Sequence, residues 1–335
     1  MTDIQSVFDA RLRHEPMLFS KPNVVGVGAG YKEVMGERTG ELCIVALVRR
    51  KLPRAALPQD ALVPSLVDGI RTDVQEVGEI RALQTRTDRW RPAPGGVSLG
   101  HYRITAGTFG CVVRDRATGA RLLLSNNHVL ANTNDGQAGD PILQPGPLDG
   151  GREPNDVLAR LERFCPIVFT SEPGTCGVAL AAASIANALA ALVGSHHRFE
   201  TVRVDAQAVN RVDAAVARPT DVGAVRDDIL EIGQVSGTVE AQLGMPVRKS
   251  GRSTGLTTGS VNVLDSTVDV DYGSGRTARF TGQIVSGPMS KPGDSGSVLV
   301  AGDSLQAVGL LFAGSDQATI FNPIHAVLDC LEVDL

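Results

Sequence analysis

The sequence predicts a mostly β protein in two folded parts, a small α+β unit followed by a larger β-rich one. Three observations predict it. Apolar residues recur at period two in several short runs, as at Leu42, Ile44, Ala46 and Val48, which is the signature of half-buried strands. Helical patterns are confined to residues 3–13, 178–193 and 322–331. A stretch rich in proline and glycine, residues 84–98, stands between the parts and reads as a linker. At 335 residues the chain has room for two or three domains.

Residues 1–83 form the small unit. Asp3 to Arg13 has helical character, and Asn23 to Tyr31 and Glu41 to Lys51 read as strands. Gly26-Val27-Gly28-Ala29-Gly30 lacks the spacing and the following helix of a dinucleotide-binding turn, so it reads as a glycine-softened strand. Arg71 to Ile80 mixes Val74, Val77 and Ile80 with charges and gives no assignment. The linker carries Trp90 among prolines.

Residues 99–335 form the larger unit. Strands are expected at 105–113 and 121–125. An inserted helix is expected at about 176–195, where Val178, Ala182, Ile185, Leu189 and Leu192 recur at helical spacing in an alanine-rich run. The run is short of a membrane span and contains Ser184 and Asn187. It is expected to pack on the β-rich body or between protomers of an oligomer. Glycines 233, 237 and 244 mark turns between short strands. Val261 to Asp271 reads as two strands with a turn between them. Asn322 to Leu331 reads as a short closing helix.

The chemistry concentrates near the end of the chain, in Ser290-Lys291-Pro292-Gly293-Asp294-Ser295-Gly296-Ser297. The glycines permit a tight turn. Such a turn can aim the N–H groups of Gly293 and Ser295 at one point, where a developing oxyanion would sit. The hydroxyl of Ser295 lies beside that point and needs a base within hydrogen-bond reach. Of six histidines, His128 is the one that an apolar strand, Leu122-Leu123-Leu124-Ser125, delivers to a polar turn. A carboxylate must then hold the imidazole tautomer. Asp213, opening the small-apolar run Ala214-Ala215-Val216-Ala217, is the best candidate; Asp156 is the rival and Asp140 a weaker one.

The order His128, Asp213, Ser295 with a Gly-Asp-Ser-Gly turn resembles the chymotrypsin-like (trypsin-fold) serine peptidases over roughly residues 95–335. Lys249-Ser250-Gly251-Arg252-Ser253-Thr254-Gly255-Leu256-Thr257-Thr258-Gly259 is similar to a segment of the plant narrow-leaf serine proteases and their uncharacterised bacterial relatives. So are Leu124 to Leu130 and Val212 to Ala215. The resemblance implies a double β-barrel, a serine endopeptidase acting on protein or peptide substrates, and a catalytic set of His128, Asp213 and Ser295. It also implies a pocket wall at Phe312 and Ala313. Met289 stands where pocket-base chemistry is often set; being uncharged, it suggests a small or medium apolar residue in the substrate. The chain departs from the family at Ser297, where a glycine is usual, and at Val129 and Lys291, where cysteines are usual. No activation sequence stands the usual short distance before the histidine, so activation by a newly cut N-terminus is not expected.

A net charge of −5 gives no case for nucleic acid. The five cysteines lack the paired spacing of a metal site, and no cofactor or metal is expected. The loop Asn132 to Gln137 lacks the carboxylate spacing of a calcium loop despite Asp135. Cys165 and Cys176 flank a loop and could pair if oxidised; free thiols in a reducing compartment are the expectation. Met1 to Ser6 show no basic region followed by an apolar run, from which a cytoplasmic location is expected. Two other functions stay open: a binding or scaffold protein whose catalysis has lapsed, and a protease limited to cutting its own linker near 84–98.

Overall fold

The computed structural model describes residues 3–80, 84–302 and 304–335. The chain divides into two compact units, Met1–Gln84 and Thr85–Leu335.

In the first unit, α1 (Ile4–Phe19) starts at Asp3, whose carboxylate accepts the Ser6 N–H at 3.0 Å. That bond satisfies one of the helix's otherwise unpaired first amides. β1 (Val24–Val34), β2 (Glu37–Val48), β3 (Leu66–Val67) and β4 (Ile70–Glu76) form one sheet in the order β1-β2-β4-β3. The segment without a sequence assignment, 71–80, largely supplies β4, parallel to β2. Val7, Ala10 and Leu18 of α1 pack on Val27, Ile44, Val67 and Ile70. The glycine-rich run lies inside β1, as a softened strand should.

The second unit is mostly β. Its first part contains β5 (Ala93–Gly95), β6 (Ser98–His101), β7 (Gly107–Thr108), β8 (Cys111–Asp115), β9 (Arg121–Ser125), α2 (Asn127–Leu130), β10 (Pro141–Leu143) and β11 (Val157–Phe164). An arm follows, made of β12 (Ser171–Pro173), α3 (Gly177–Leu192) and β13 (Val202–Val204). Then come β14 (Ala215–Pro219), β15 (Val225–Ile229), β16 (Gly233–Gln234), β17 (Pro246–Gly251), β18 (Gly255–Asp271), β19 (Thr277–Ser286), β20 (Val298–Ala301), β21 (Ala307–Gly314), β22 (Thr319–Pro323), α4 (Ile324–Leu331) and β23 (Val333–Asp334). One curled sheet runs β23-β8-β9-β14-β11-β10-β6-β7. The other runs β13-β12-β19-β18-β17-β20-β21-β22 and closes on itself through β19 and β22. This is the mostly β, two-sheet architecture of the expected trypsin-like double barrel.

Four expectations are corrected. The stretch 84–98 is not a free linker: Trp90 packs on the first core, its N–H donates to Gln144 Oε1 at 2.8 Å, and β5 pairs with β15. The helix α3 does not pack on the body; among its residues none is buried, and Val178, Ile185 and Leu192 are 80%, 63% and 82% exposed. The reason is topological: among the described residues, the strands of the arm share one register pair with the second sheet, Ser171 with Thr277. Residues 261–271 hold no turn, for β18 runs through them and absorbs the irregularity as bulges, with Asp265 at φ 51°. Cys165 bonds to Cys330, not to Cys176, because the closing helix α4 brings Cys330 beside it; Cys43, Cys111 and Cys176 are free. Among the described residues, no helix is long and apolar enough to cross a membrane.

Candidate active site

The first sheet brings His128 and Asp213 together by register. β9, with Leu122, Leu123 and Leu124 fully buried, runs antiparallel to β14, and Ser125 faces Ala215. Two residues before β14 and three after β9, the side chains of Asp213 and His128 therefore meet. His128 Nδ1 lies 2.6 Å from Asp213 Oδ2, and the His128 main-chain N–H donates to Oδ1 at 3.2 Å. Asp213 is wholly buried, while the His128 side chain is 22% exposed. A buried carboxylate needs several donors, and the Tyr272 hydroxyl supplies another to Oδ2 at 2.7 Å.

The backbone at Asp213 is fixed on both sides by buried amides. Asn126 Nδ2 donates to the Asp213 carbonyl at 2.7 Å. The Asp213 N–H donates to Asn322 Oδ1 at 2.9 Å, and Asn322 Nδ2 donates to Gln283 Oε1 at 2.7 Å. The loop after His128 is held by a reciprocal pair between Asn127 and Asn134, at 2.8 and 3.0 Å. Asp135 of that loop pairs with Arg276 at 3.1 Å.

The second sheet brings Ser295. Lys291-Pro292-Gly293-Asp294 closes a turn, with the Asp294 N–H on the Lys291 carbonyl at 3.0 Å. Proline second and a glycine third at φ +97° are the marks of a type II turn. A side chain at Gly293 would also collide with Ser253 Oγ, 2.5 Å from the position of its Cβ. Ser253 Oγ donates to the Pro292 carbonyl at 2.7 Å. Because the peptide is trans, the Gly293 N–H points the opposite way from that carbonyl, within the same peptide plane. Thr108 Oγ1 donates to the Gly293 carbonyl at 2.9 Å. Among the described residues, the N–H groups of Gly293 and Ser295 make no hydrogen bond. At Gly296, φ +95°, a Cβ would stand 2.1 Å from Ser125 Oγ and 2.3 Å from the Thr108 carbonyl. Only glycine lets the serine turn press this closely on the first sheet.

Asp294, inside the same turn, is wholly buried against the equally buried Lys249, at 3.1 Å. The register of β17 with β20, Lys249 facing Leu299, sets the lysine there. The Asp294 carboxylate also accepts from Lys291 N–H (3.0 Å), Ser253 N–H (2.8 Å), Thr254 N–H (3.2 Å) and Thr254 Oγ1 (2.7 Å). Burial works to raise the Asp294 pKa, but the Lys249 charge and these bonds outweigh it, and the group lies below the usual carboxylate range. Burial pulls the Lys249 pKa down, against the pull of Asp294. The direction that counts for the pair is that of Asp294: the carboxylate is charged and the turn is riveted to β17.

His128 and Ser295 line one cleft of about 500 Å³, with Leu311, Phe312 and Ala313 on a wall and Ser290 and Pro292 beside the serine turn. No hydrogen bond joins them in this structure; such contacts are often long before substrate binds. Of the other residues expected here, Phe312 and Ala313 line the cleft. Met289 instead packs in the core with Val247, Val261 and Leu299, 2% exposed. The rival carboxylates are engaged elsewhere: Asp156 by Arg89 at 3.0 Å, Asp140 by His101 Nε2 at 3.0 Å. Sequence reasoning missed Tyr272, Lys249, Asn126 and Asn322 as supports of the site. Lys249 carries little signal, since its strand Pro246-Val247-Arg248-Lys249-Ser250-Gly251 sets it beside a second basic residue.

A His and an Asp joined at 2.6 Å, a serine beside two amides without a partner, and an open cleft can together support nucleophilic attack on a carbonyl. No protein-family model matches the chain. Streptogrisin-D of Streptomyces griseus is 34% identical over 117 residues, covering 33% of this chain and 28% of its own length. Serine protease 2 of Streptomyces fradiae is 40% identical over 81 residues, covering 24% of this chain and 43% of its own length. The chain thus matches less than half the length of these curated relatives. Among solved structures, the Nocardiopsis protease NAPase is 17% identical with a TM-score of 0.46, covering 72% of this chain and 99% of its own.

Proposed function

We propose that the chain is a serine endopeptidase working through His128, Asp213 and Ser295. The observation that carries this is the buried Asp213 at 2.6 Å from His128 Nδ1, with His128 and Ser295 lining one cleft. Similarity to streptogrisins supports the same reaction class. In the mechanism, His128 Nε2 takes the proton of Ser295 Oγ as that oxygen attacks the peptide carbonyl. Asp213 holds the imidazole and offsets its positive charge. The amides of Gly293 and Ser295 stabilise the oxyanion, each donor typically contributing about 3 kcal/mol. The imidazolium returns its proton to the leaving amine, and water, deprotonated by His128, releases the acyl group from Ser295.

The substrate is a protein or peptide. The wall of Leu311, Phe312 and Ala313 carries no charge, and Asp316 sits at the exposed rim; a small or medium apolar side chain fits it best. The finer kinship with the plant narrow-leaf proteases rests on the segments Lys249–Gly259, Leu124–Leu130 and Val212–Ala215. Of the stretch 84–98 that a self-cutting role would cleave, residues 93–98 are buried, which disfavours a cut there.

The test is incubation of the full chain with a denatured protein mixture and identification of new termini by mass spectrometry. New internal cuts made by the wild type and not by Ser295→Ala are expected. Binding of peptides without cleavage would favour the lapsed-catalysis alternative, and loss of mass from the chain itself the self-processing one.

A further inference from the structure

The Asp213 carboxylate is bonded from both sheets. Oδ2 takes two donors, His128 Nδ1 at 2.6 Å and the Tyr272 hydroxyl at 2.7 Å, while Oδ1 takes the His128 main-chain N–H. Among the described residues no other side chain donates to it. Tyr272 comes from the tip of the long hairpin of β18 and β19. The turn there is tight, with Tyr272 N–H on the Arg276 carbonyl at 2.9 Å and Gly273, Ser274 and Gly275 all at positive φ. The ring stands edge-on to His128 at 5.9 Å, and lies 6.1 Å from Phe169 and 6.3 Å from Phe280.

The tip is tied down. Arg276 pairs with Asp135 of the loop after His128 and stacks 5.4 Å over Phe169, and Thr170 N–H donates to the Thr277 carbonyl at 2.8 Å. These charges, with the exposed Asp271, are the ones that surround the phenol besides His128 and Asp213. Burial and the Asp213 charge push the phenol pKa well above its ordinary value. The hydroxyl therefore keeps its proton and acts as a fixed donor.

We propose that Tyr272 is a positioning residue of the triad: its hydroxyl fixes the Asp213 carboxylate and draws off part of the charge on the oxygen that holds His128. A charge shared between two donors pulls less on each. Without the phenol, Oδ2 pulls harder on the Nδ1 proton and the carboxylate is freer to turn. The kinetic consequence rests on the peptidase reading; the structural one does not.

Tyr272→Phe keeps the ring and removes the oxygen, and the full chain is used. In a Ser295→Ala background, the Nδ1–H proton resonance of His128 is expected to move downfield on Tyr272→Phe; an unmoved resonance would overturn the proposal. In the active chain, kcat is expected to fall about ten-fold with KM unchanged, the loss of one hydrogen bond to a charged group. The acid limb of the kcat/KM profile is expected to move to higher pH, since a fuller charge on Asp213 favours the imidazolium. Unchanged kcat and limb would likewise sink it. A wild type that neither cuts peptides nor takes a serine-directed label defeats the peptidase reading, and the resonance then decides on Tyr272 alone.

Discussion

Two buried aspartates of the second unit, Asp213 and Asp294, solve the same electrostatic problem differently. Each is wholly removed from water, where an unpaired carboxylate costs several kcal/mol. Asp294 is neutralised by a lysine and four further donors, which hold its carboxyl below the usual carboxylate range. Among the described residues, no lysine or arginine bonds to the Asp213 carboxylate. Its donors are an imidazole, a phenol and a main-chain amide. In the proposed mechanism the imidazole is the one among them that gains a charge. The difference separates a group that holds a turn in shape from a group that waits for a charge to form.

The largest effect is expected at the waiting group. Asp213→Asn should cut turnover about four orders of magnitude while the melting temperature stays close to that of the wild type; steady-state kinetics and calorimetry together check it. At the rivet both quantities should fall. Lys249→Met leaves Asp294 charged and alone, which should cost about 3–5 kcal/mol of stability. Turnover should drop about 10²-fold as the Gly293 amide loses its aim. If Lys249→Met leaves turnover intact, the two carboxylates do not differ in the way described.

A smaller effect concerns acid. Asp294 is held below the usual carboxylate range, so its folded pKa lies below the unfolded value of about 3.9. Its contribution is present above the unfolded value and is lost as pH falls through the folded one. Thermal melts between pH 5 and the acid limit of folding should show a decline that is shallower in a Lys249→Met, Asp294→Leu double variant. The smallest effect lies away from both aspartates. Ile185→Ser on the exposed α3 should change stability by no more than about 0.5 kcal/mol, measured by urea titration.

The meeting of His128 with Asp213 was legible in the sequence because each borders an apolar run that becomes a strand, and the Ser295 turn was legible because its Gly-Asp-Ser-Gly core precedes another. The β18 hairpin was less so: period two suggested strands at 261–271, but bulges keep the strand going where alternation breaks, and the tyrosine at its far tip carries no local pattern. α3 misled for a related reason. Helical spacing of apolar residues reports amphipathicity, and an alanine-rich helix on an arm satisfies the pattern without burying a residue against the body of its own chain. The proline- and glycine-rich 84–98 stretch misled in the opposite sense, since Trp90 and the Gln144 side chain hold it by bonds to residues far along the chain. Cys330 pairs with Cys165 across 165 residues, a distance at which spacing says nothing.

The most direct measurement is labelling of the folded full chain with a fluorophosphonate, which reacts preferentially with a serine hydroxyl activated by its neighbours, followed by mapping of the modified peptide. The account predicts one adduct, on Ser295, absent from Ser295→Ala and strongly slowed in Asp213→Asn. A folded wild type that stays unlabelled, or an adduct elsewhere that survives Ser295→Ala, would contradict it.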